Sequence, residues 1–544
     1  MRLTASILAT WLQLSAVLAK KPNIVFVLTD DQDLHLQSMD YVPLIKKHLT
    51  DKGTSYRRHY CTTSLCCPTR VTLWTGKLAH NTNVTDVLPP WGKLMFLIGL
   101  NENWLPVWLQ EAGYDTYYTG KLFNSHSVDN YDKPFPAGWT GSDFLLDPFT
   151  YSYMTPWYQR NREPPVAHDG INTQTLISEK ALGFLDDAIS NPDRPFFIGI
   201  APIAPHSNMY IDENDVRHWG PPIPLDKHAH LFPDAQVPRG SWVRGLRKQD
   251  DDVVEYNDHY YRERLRSLQS VDELVDDVIK RLEAAKLLDN TYIIYTSDNG
   301  FHIGQHRMQP GKMCGYEEDI NVPLIIRGPG VPKGEVSDVV TAHVDLAPTI
   351  MQLAGIPLRD DFDGAAIPLT KPEQKKAVSK RQEHVMVEFW GKAYMEGGVV
   401  FRGGETDVVL NNTYKSLRVI DVKKNDYNFY YSIWCNNEHE LYDMKTILGR
   451  PFEAVVARLD ALLFVLKSCK QKTCVEPWRA LHPAGNVDSL KDALNQRFDD
   501  FYIRQQKKVR FERCEAGLII DAEGPQFETD GLLYRHGSSW SEWT

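Results

Sequence analysis

Hydrophobic positions in this chain come first in short unbroken runs. Ile24-Val25-Phe26-Val27-Leu28 precedes Thr29 and the acidic pair Asp30-Asp31. The same grammar returns far downstream, where Tyr292-Ile293-Ile294-Tyr295 leads through Thr296-Ser297 into Asp298-Asn299-Gly300. An unbroken apolar run of this length is a strand buried on both faces, the kind that parallel sheets contain. Phe196 to Ile200 and Val322 to Ile326 fit the same sheet. Between the runs the period changes. Leu265, Leu268, Val271, Val275, Val278 and Leu282 recur at helical spacing and predict an amphipathic helix from Tyr260 to Leu288. Strands alternating with helices predict a three-layer α/β domain with a mostly parallel central sheet. In such sheets the functional site forms beyond the carboxyl ends of the strands. Both acidic pairs sit at such ends, so they can meet in space.

The pattern changes twice more. Leu3 to Leu18 is largely apolar behind Met1-Arg2, and Val17-Leu18-Ala19 offers small residues for cleavage, so residues 1–19 read as a secretory signal peptide. No later run is long enough for a membrane span. Lys371 to Lys380 is lysine-rich and reads as a linker. Beyond it short strands (Val385 to Trp390, Ser416 to Val422, Asn428 to Trp434) and a helix near Glu453 to Leu466 predict a smaller α+β domain. The expected division is therefore a main domain over 20–380 and a smaller one over 381–544. The 544 residues exceed what one hydrophobic core sustains, which agrees with two domains.

Composition is that of an ordinary globular protein, and a net charge of −11 argues against nucleic acid or anionic lipid as partners. Arg239, Arg244, Arg247 and Lys248 form a local basic group, but aspartates follow at 250–252 and the stretch reads as a solvated loop. Secretion implies oxidising surroundings. Cys469 and Cys474 are close enough for a local disulfide, whereas Cys61, Cys67, Cys314, Cys435 and Cys514 show no partner in the sequence. Asn411 opens a glycosylation sequon; Asn83 opens another.

Taken singly, the candidate residues have ordinary readings. Asp30-Asp31 is a possible helix cap, Asp298-Asn299-Gly300 a turn, and Cys66 a buried thiol or half of a disulfide. Taken together, Asp30, Asp31, Asp298 and Asn299 supply three carboxylates and an amide oxygen, a set suited to a hard divalent cation such as calcium or magnesium.

Cys66-Cys67-Pro68-Thr69-Arg70, followed by Thr75-Gly76-Lys77, resembles the signature of the sulfatase family. The resemblance extends to Thr119-Gly120-Lys121, to Ala204-Pro205-His206-Ser207, and to the long segment from Ser297 to Gly330 that carries Lys312. Asp345 to Ile350 and Glu440 to Asp443 are also typical, as scaffold. The chain looks most like secreted fungal-type arylsulfatases and glucosamine-6-sulfatases. That resemblance implies an alkaline-phosphatase-like fold and hydrolysis of small aryl or sugar sulfate esters. It further implies conversion of Cys66 to formylglycine by a formylglycine-generating enzyme, and one divalent cation, calcium in preference to magnesium, held by Asp30, Asp31, Asp298, Asn299 and residue 66. In this reading Arg70, Lys121 and Lys312 hold the sulfate and His206 is the acid. Arg70 lies one helical turn beyond Cys66, and Pro68 suits a first turn. Lys77 is a weaker candidate. Two departures stand out: Phe123 occupies a position where many relatives carry histidine, leaving Asn124 and His126 as polar substitutes, and Thr69 stands where serine or alanine is usual. A phosphodiesterase or phosphonate hydrolase on the same scaffold, or a non-catalytic sulfate-ester binder if Cys66 stays a thiol, are the alternatives.

Overall fold

The computed structural model describes residues 20–88, 99–214, 217–239, 248–397, 408–424, 426–443 and 449–527. The signal-peptide reading of residues 1–19, and Arg244 and Arg247 of the basic group, lie outside them.

A ten-stranded sheet organises the larger part of the chain. Its strands are β1 (Asn23–Thr29), β2 (Thr54–Tyr56), β3 (Asp115–Lys121), β4 (Gly141–Leu145), β5 (Trp157–Arg160), β6 (Val166–Ala167), β7 (Phe196–Ala201), β8 (Thr291–Ser297), β9 (Leu324–Arg327) and β10 (Glu335–Ser337). They lie in the order β10-β2-β9-β8-β1-β7-β3-β4-β5-β6. The central five, β8-β1-β7-β3-β4, are parallel. Antiparallel strands flank them: β9 on β8, β5 on β4. All seven residues of β1 are buried. Val25 and Val27 pack with Phe184, Leu268 and Val275 beneath α2 (Thr173–Ser190) and α3 (Asp251–Ala284). Ile24, Phe26 and Leu28 face the other way, onto Val71 and Trp74 of α1 (Cys66–Thr75) and Ile350 of α4 (Leu346–Leu353). This two-sided burial is why β1 reads as an unbroken apolar run.

Helix α3 begins nine residues earlier than its periodicity predicts. The aspartates read as loop form its start: Asp250 takes an extended backbone at the N-cap, and Asp251 and Asp252 occupy the first turn, where the helix dipole favours negative charge. The helix stops at Ala284, short of Leu288, and Lys286 adopts φ 58° just beyond it.

The stretch read as a linker is a helix, α5 (Lys371–Lys380), opened by Thr370 and Glu373 in a reciprocal capping box. Beyond it a four-stranded antiparallel sheet, β11-β12-β13-β14, is built from His384–Phe389, Tyr414–Ile420, Asn428–Trp434 and His439–Asp443. Helix α6 (Phe452–Leu466) packs on it. The same apolar cluster includes Tyr60, Leu65 and Ile320, so the core runs across residue 380 without a break. Disulfides join Cys469 to Cys474 and Cys435 to Cys514. The second bridge spans 79 residues and pairs two cysteines that no sequence spacing connects.

Candidate active site

Strands β1 and β8 are neighbours in register, Thr29 opposite Ser297. Asp30-Asp31 and Asp298-Asn299 therefore leave the sheet side by side. The Asp31 N–H donates to Asp298 Oδ1 at 3.0 Å, and Asn299 Nδ2 donates to Asp31 Oδ1 at 2.7 Å. All four side chains are fully buried. β3 ends at Lys121 on the same rim. Gly120 makes that ending possible: at φ +102° its missing Cβ would lie 2.1 Å from the Ala201 carbonyl oxygen of β7.

Helix α1 brings Cys66 to this rim from above. Its Sγ lies 3.5 Å from Asp30 Oδ1 and 4.0 Å from Asp31 Oδ1, and Lys312 Nζ is 3.3 Å away. One turn along, Arg70 Nε donates to Asp298 Oδ2 at 2.8 Å, and Nη1 donates to the Lys121 carbonyl at 2.6 Å. Lys121 Nζ sits 2.6 Å from Asp30 Oδ2; Lys312 Nζ sits 2.7 and 2.8 Å from the two Asp31 oxygens. Burial alone would strip these lysines of charge, but the facing carboxylates outweigh it and raise both pKa values. Burial drives the Cys66 thiol well above its usual range, although Lys121 and Lys312 pull the other way. As cysteine, residue 66 is a protonated and poor nucleophile.

His206 joins the cluster with Nε2 3.5 Å from Asp31 Oδ2, and its Nδ1 faces the Ser207 carbonyl at 2.9 Å. Burial first, then Lys312, hold its pKa well below 6.5. Its ring stacks on Tyr151 at 4.0 Å and 17°. Tyr151 also lies under the Lys121 ammonium, 4.8 Å from ring centre to Nζ.

The other candidates scatter. Lys77 pairs with Asp361 at 2.9 Å. Phe123 is buried against Trp104. Of its two polar substitutes, Asn124 donates to the Tyr151 hydroxyl at 2.5 Å, whereas the His126 ring packs on Phe144. Thr69 Oγ1 meets His343 Nδ1 at 2.7 Å. Asn83 is buried; Asn411 is exposed.

Two members of the site carry no sequence signal. Tyr151 lies in a loop. Glu396 comes from beyond residue 380, and its carboxylate stands 3.3 Å from Lys312 Nζ and 3.8 Å from His206 Nε2. A lone glutamate in Tyr394-Met395-Glu396-Gly397 has no motif around it.

The donor set fits a hard cation. Asn299 Nδ2 is committed to Asp31 and to the Gly300 carbonyl, which leaves Asn299 Oδ1 buried without a hydrogen-bond donor. A buried acceptor of that kind, among three carboxylates, is what a divalent cation satisfies.

Comparison with known proteins identifies the family. The family model described as Sulfatase matches residues 22–356. An arylsulfatase of Volvox carteri is 38% identical over 535 residues, 90% of this chain and 81% of the relative. The N-acetylglucosamine-6-sulfatase of Homo sapiens is 28% identical, covering 84% of this chain and 86% of its own. A structure solved in complex with its substrate D-glucosamine-2-N,6-O-disulfate shares the fold, with a TM-score of 0.61 at 21% identity over 78% of this chain and 91% of that one. Matched from residue 22 to residue 356 by the family model, and over nine-tenths of its length by an arylsulfatase, the chain belongs to the sulfatase family and is a sulfuric ester hydrolase.

Proposed function

We infer that this protein is a secreted, formylglycine-dependent sulfatase acting on small aryl or sugar sulfate esters. The observation that carries the reading is the convergence of two acidic pairs, two lysines and Arg70 on one buried cysteine. Converted to a hydrated aldehyde by a formylglycine-generating enzyme, residue 66 would offer two hydroxyls on one carbon, one to displace the alcohol from sulfur and one to release sulfate. Asp30, Asp31, Asp298 and Asn299 would hold the cation together with residue 66, and the cation would supply charge to the sulfate oxygens. Their complete burial favours calcium, because magnesium gives up its waters reluctantly.

The chain's own groups divide the remaining work. Arg70 fixes Asp298 and lies on the helix face of residue 66. Lys121 and Lys312 bring positive charge to the anionic ester, which must be neutralised before a nucleophile approaches. His206 is the acid for the leaving oxygen: the Ser207 carbonyl holds its Nδ1 and turns Nε2 toward the cluster, 3.5 Å from Asp31 Oδ2. General acids of this kind contribute roughly 10²–10⁴-fold. The apolar run from Leu3 to Leu18 behind Met1-Arg2 and the two disulfides support secretion, and Asn411 is the better placed glycan acceptor.

The test is protein from a converting secretory host, assayed on aryl sulfate and aryl phosphate and digested for mass analysis of the peptide with residue 66. An aldehyde at position 66, preference for sulfate, and loss of turnover on chelation with recovery on added calcium are expected. Unmodified Cys66 in fully active protein overturns the reading.

A further inference from the structure

A cavity of about 460 Å³ opens beside the catalytic cluster, with Lys312 and Met395, the neighbour of Glu396, in its wall. That is the size of a small-molecule site. The C-terminal sheet supplies the wall's remainder: Trp434 at the end of β13, then Glu438 and Glu440 of the following hairpin. Tyr316 and Tyr394 add two more half-buried rings. Glu440 accepts from the Tyr316 hydroxyl at 3.4 Å and from Ser432 Oγ at 3.3 Å. The partners of the Glu440 carboxylate are thus hydroxyls, and Glu438 is exposed. Arg307 and Lys312 are the cations of the wall, and Lys312 is already committed to Asp31 and Glu396.

His302 completes the chamber. Asp319 grips its Nδ1 at 2.8 and 3.0 Å, which fixes the ring. A Cβ at Gly311 would lie 3.5 Å from His302 Nε2, so the missing side chain there leaves that nitrogen facing open space.

We propose that this cavity receives the alcohol part of the substrate and selects a sugar bearing one sulfate and no second anionic group; the proposal rests on the sulfatase reading above. The three aromatic rings offer flat apolar faces for the C–H face of a pyranose. Glu438, Glu440 and, with Nδ1–H held by Asp319, His302 Nε2 offer acceptors for its hydroxyls, or for an ammonium. A second sulfate or carboxylate on the sugar meets the carboxylates of Glu438 and Glu440, and like charge facing like charge is a strong means of rejection.

The test compares kcat/KM on N-acetylglucosamine 6-sulfate, on D-glucosamine-2-N,6-O-disulfate and on 4-nitrophenyl sulfate. The singly sulfated sugar is expected to be preferred over the disulfate by about tenfold or more. Glu438→Gln, at an exposed position, and the double variant Glu438→Gln/Glu440→Gln narrow that preference chiefly by lowering KM for the disulfate. Trp434→Ala raises KM for both sugars. Melting curves verify that each variant is folded. No turnover of any of the three esters overturns the functional reading and this proposal with it. Turnover of 4-nitrophenyl sulfate together with equal or better use of the disulfate, or a preference that Glu438→Gln leaves unmoved, overturns the proposal alone.

Discussion

Arg70 is the residue on which the site's internal order depends. Its guanidinium binds Asp298 through Nε and the Lys121 carbonyl through Nη1, and it is fully buried. Arg70→Ala leaves Asp298 a buried charge without its main partner, a loss on the scale of about 3–5 kcal/mol. Urea denaturation of the metal-free protein measures it, and activity is lost in parallel. Asn299 acts differently. Its Oδ1 has no donor to lose, so Asn299→Ala costs cation affinity, at least about tenfold by analogy with the effect of disturbing metal-ligand partners. Calorimetric titration with calcium checks this. Sequence alone singled out both residues, since each stands inside a short motif beside other chemistry. Tyr151 and Glu396 escaped because a single polar residue in a loop looks the same whether or not it faces an active site.

Among the elements, legibility followed burial geometry. β1 and β8 are covered on both faces and were plain from their unbroken apolar runs; α3 is covered on one face and was plain from its period. α1 is buried on every side, so it has no amphipathic stripe, and only Pro68 hinted at a helix start. α5 did carry a signal in Thr370-Lys371-Pro372-Glu373, a capping box with proline in the first turn, which its lysine content obscured. The tie between α1's neighbourhood and β11 is electrostatic. His80, just beyond α1, meets both Glu388 oxygens at 2.9 Å, and Lys415 of β12 lies 3.1 Å from Oε2. Burial would raise the Glu388 pKa, but His80 and Lys415 outweigh it and hold it down to about 2. A carboxyl whose pKa falls on folding stabilises the fold above its unfolded value of 4.5, and that stability is lost as pH drops from 4.5 towards 2. Glu388→Gln should therefore flatten the fall in unfolding free energy across that window. Denaturant titrations at stepped pH values read it out.

The molecule as a whole is more unified than its sequence suggests. A composition break near residue 380 invites a division, yet one apolar cluster spans it and Glu396 crosses it to reach His206 and Lys312. Residues 20–380 alone should accordingly fail to give a cooperative melting transition, because the partners of Tyr60, Leu65 and Ile320 are removed. The Cys435–Cys514 bridge, closing a long segment of the C-terminal part, constrains the unfolded chain by about 4.5 kcal/mol in the loop-entropy account. The same completeness has a cost in time. Cys66 is 1% exposed, at the first turn of α1 and walled by charged pairs. A thiol reagent should leave it unlabelled in the native protein and label it once denaturant is added. Any catalyst that rewrites this side chain faces the same wall, so its opportunity closes when the chain collapses. On the formylglycine reading, conversion of residue 66 and folding are then competitors on one clock, and a molecule that folds first keeps its thiol.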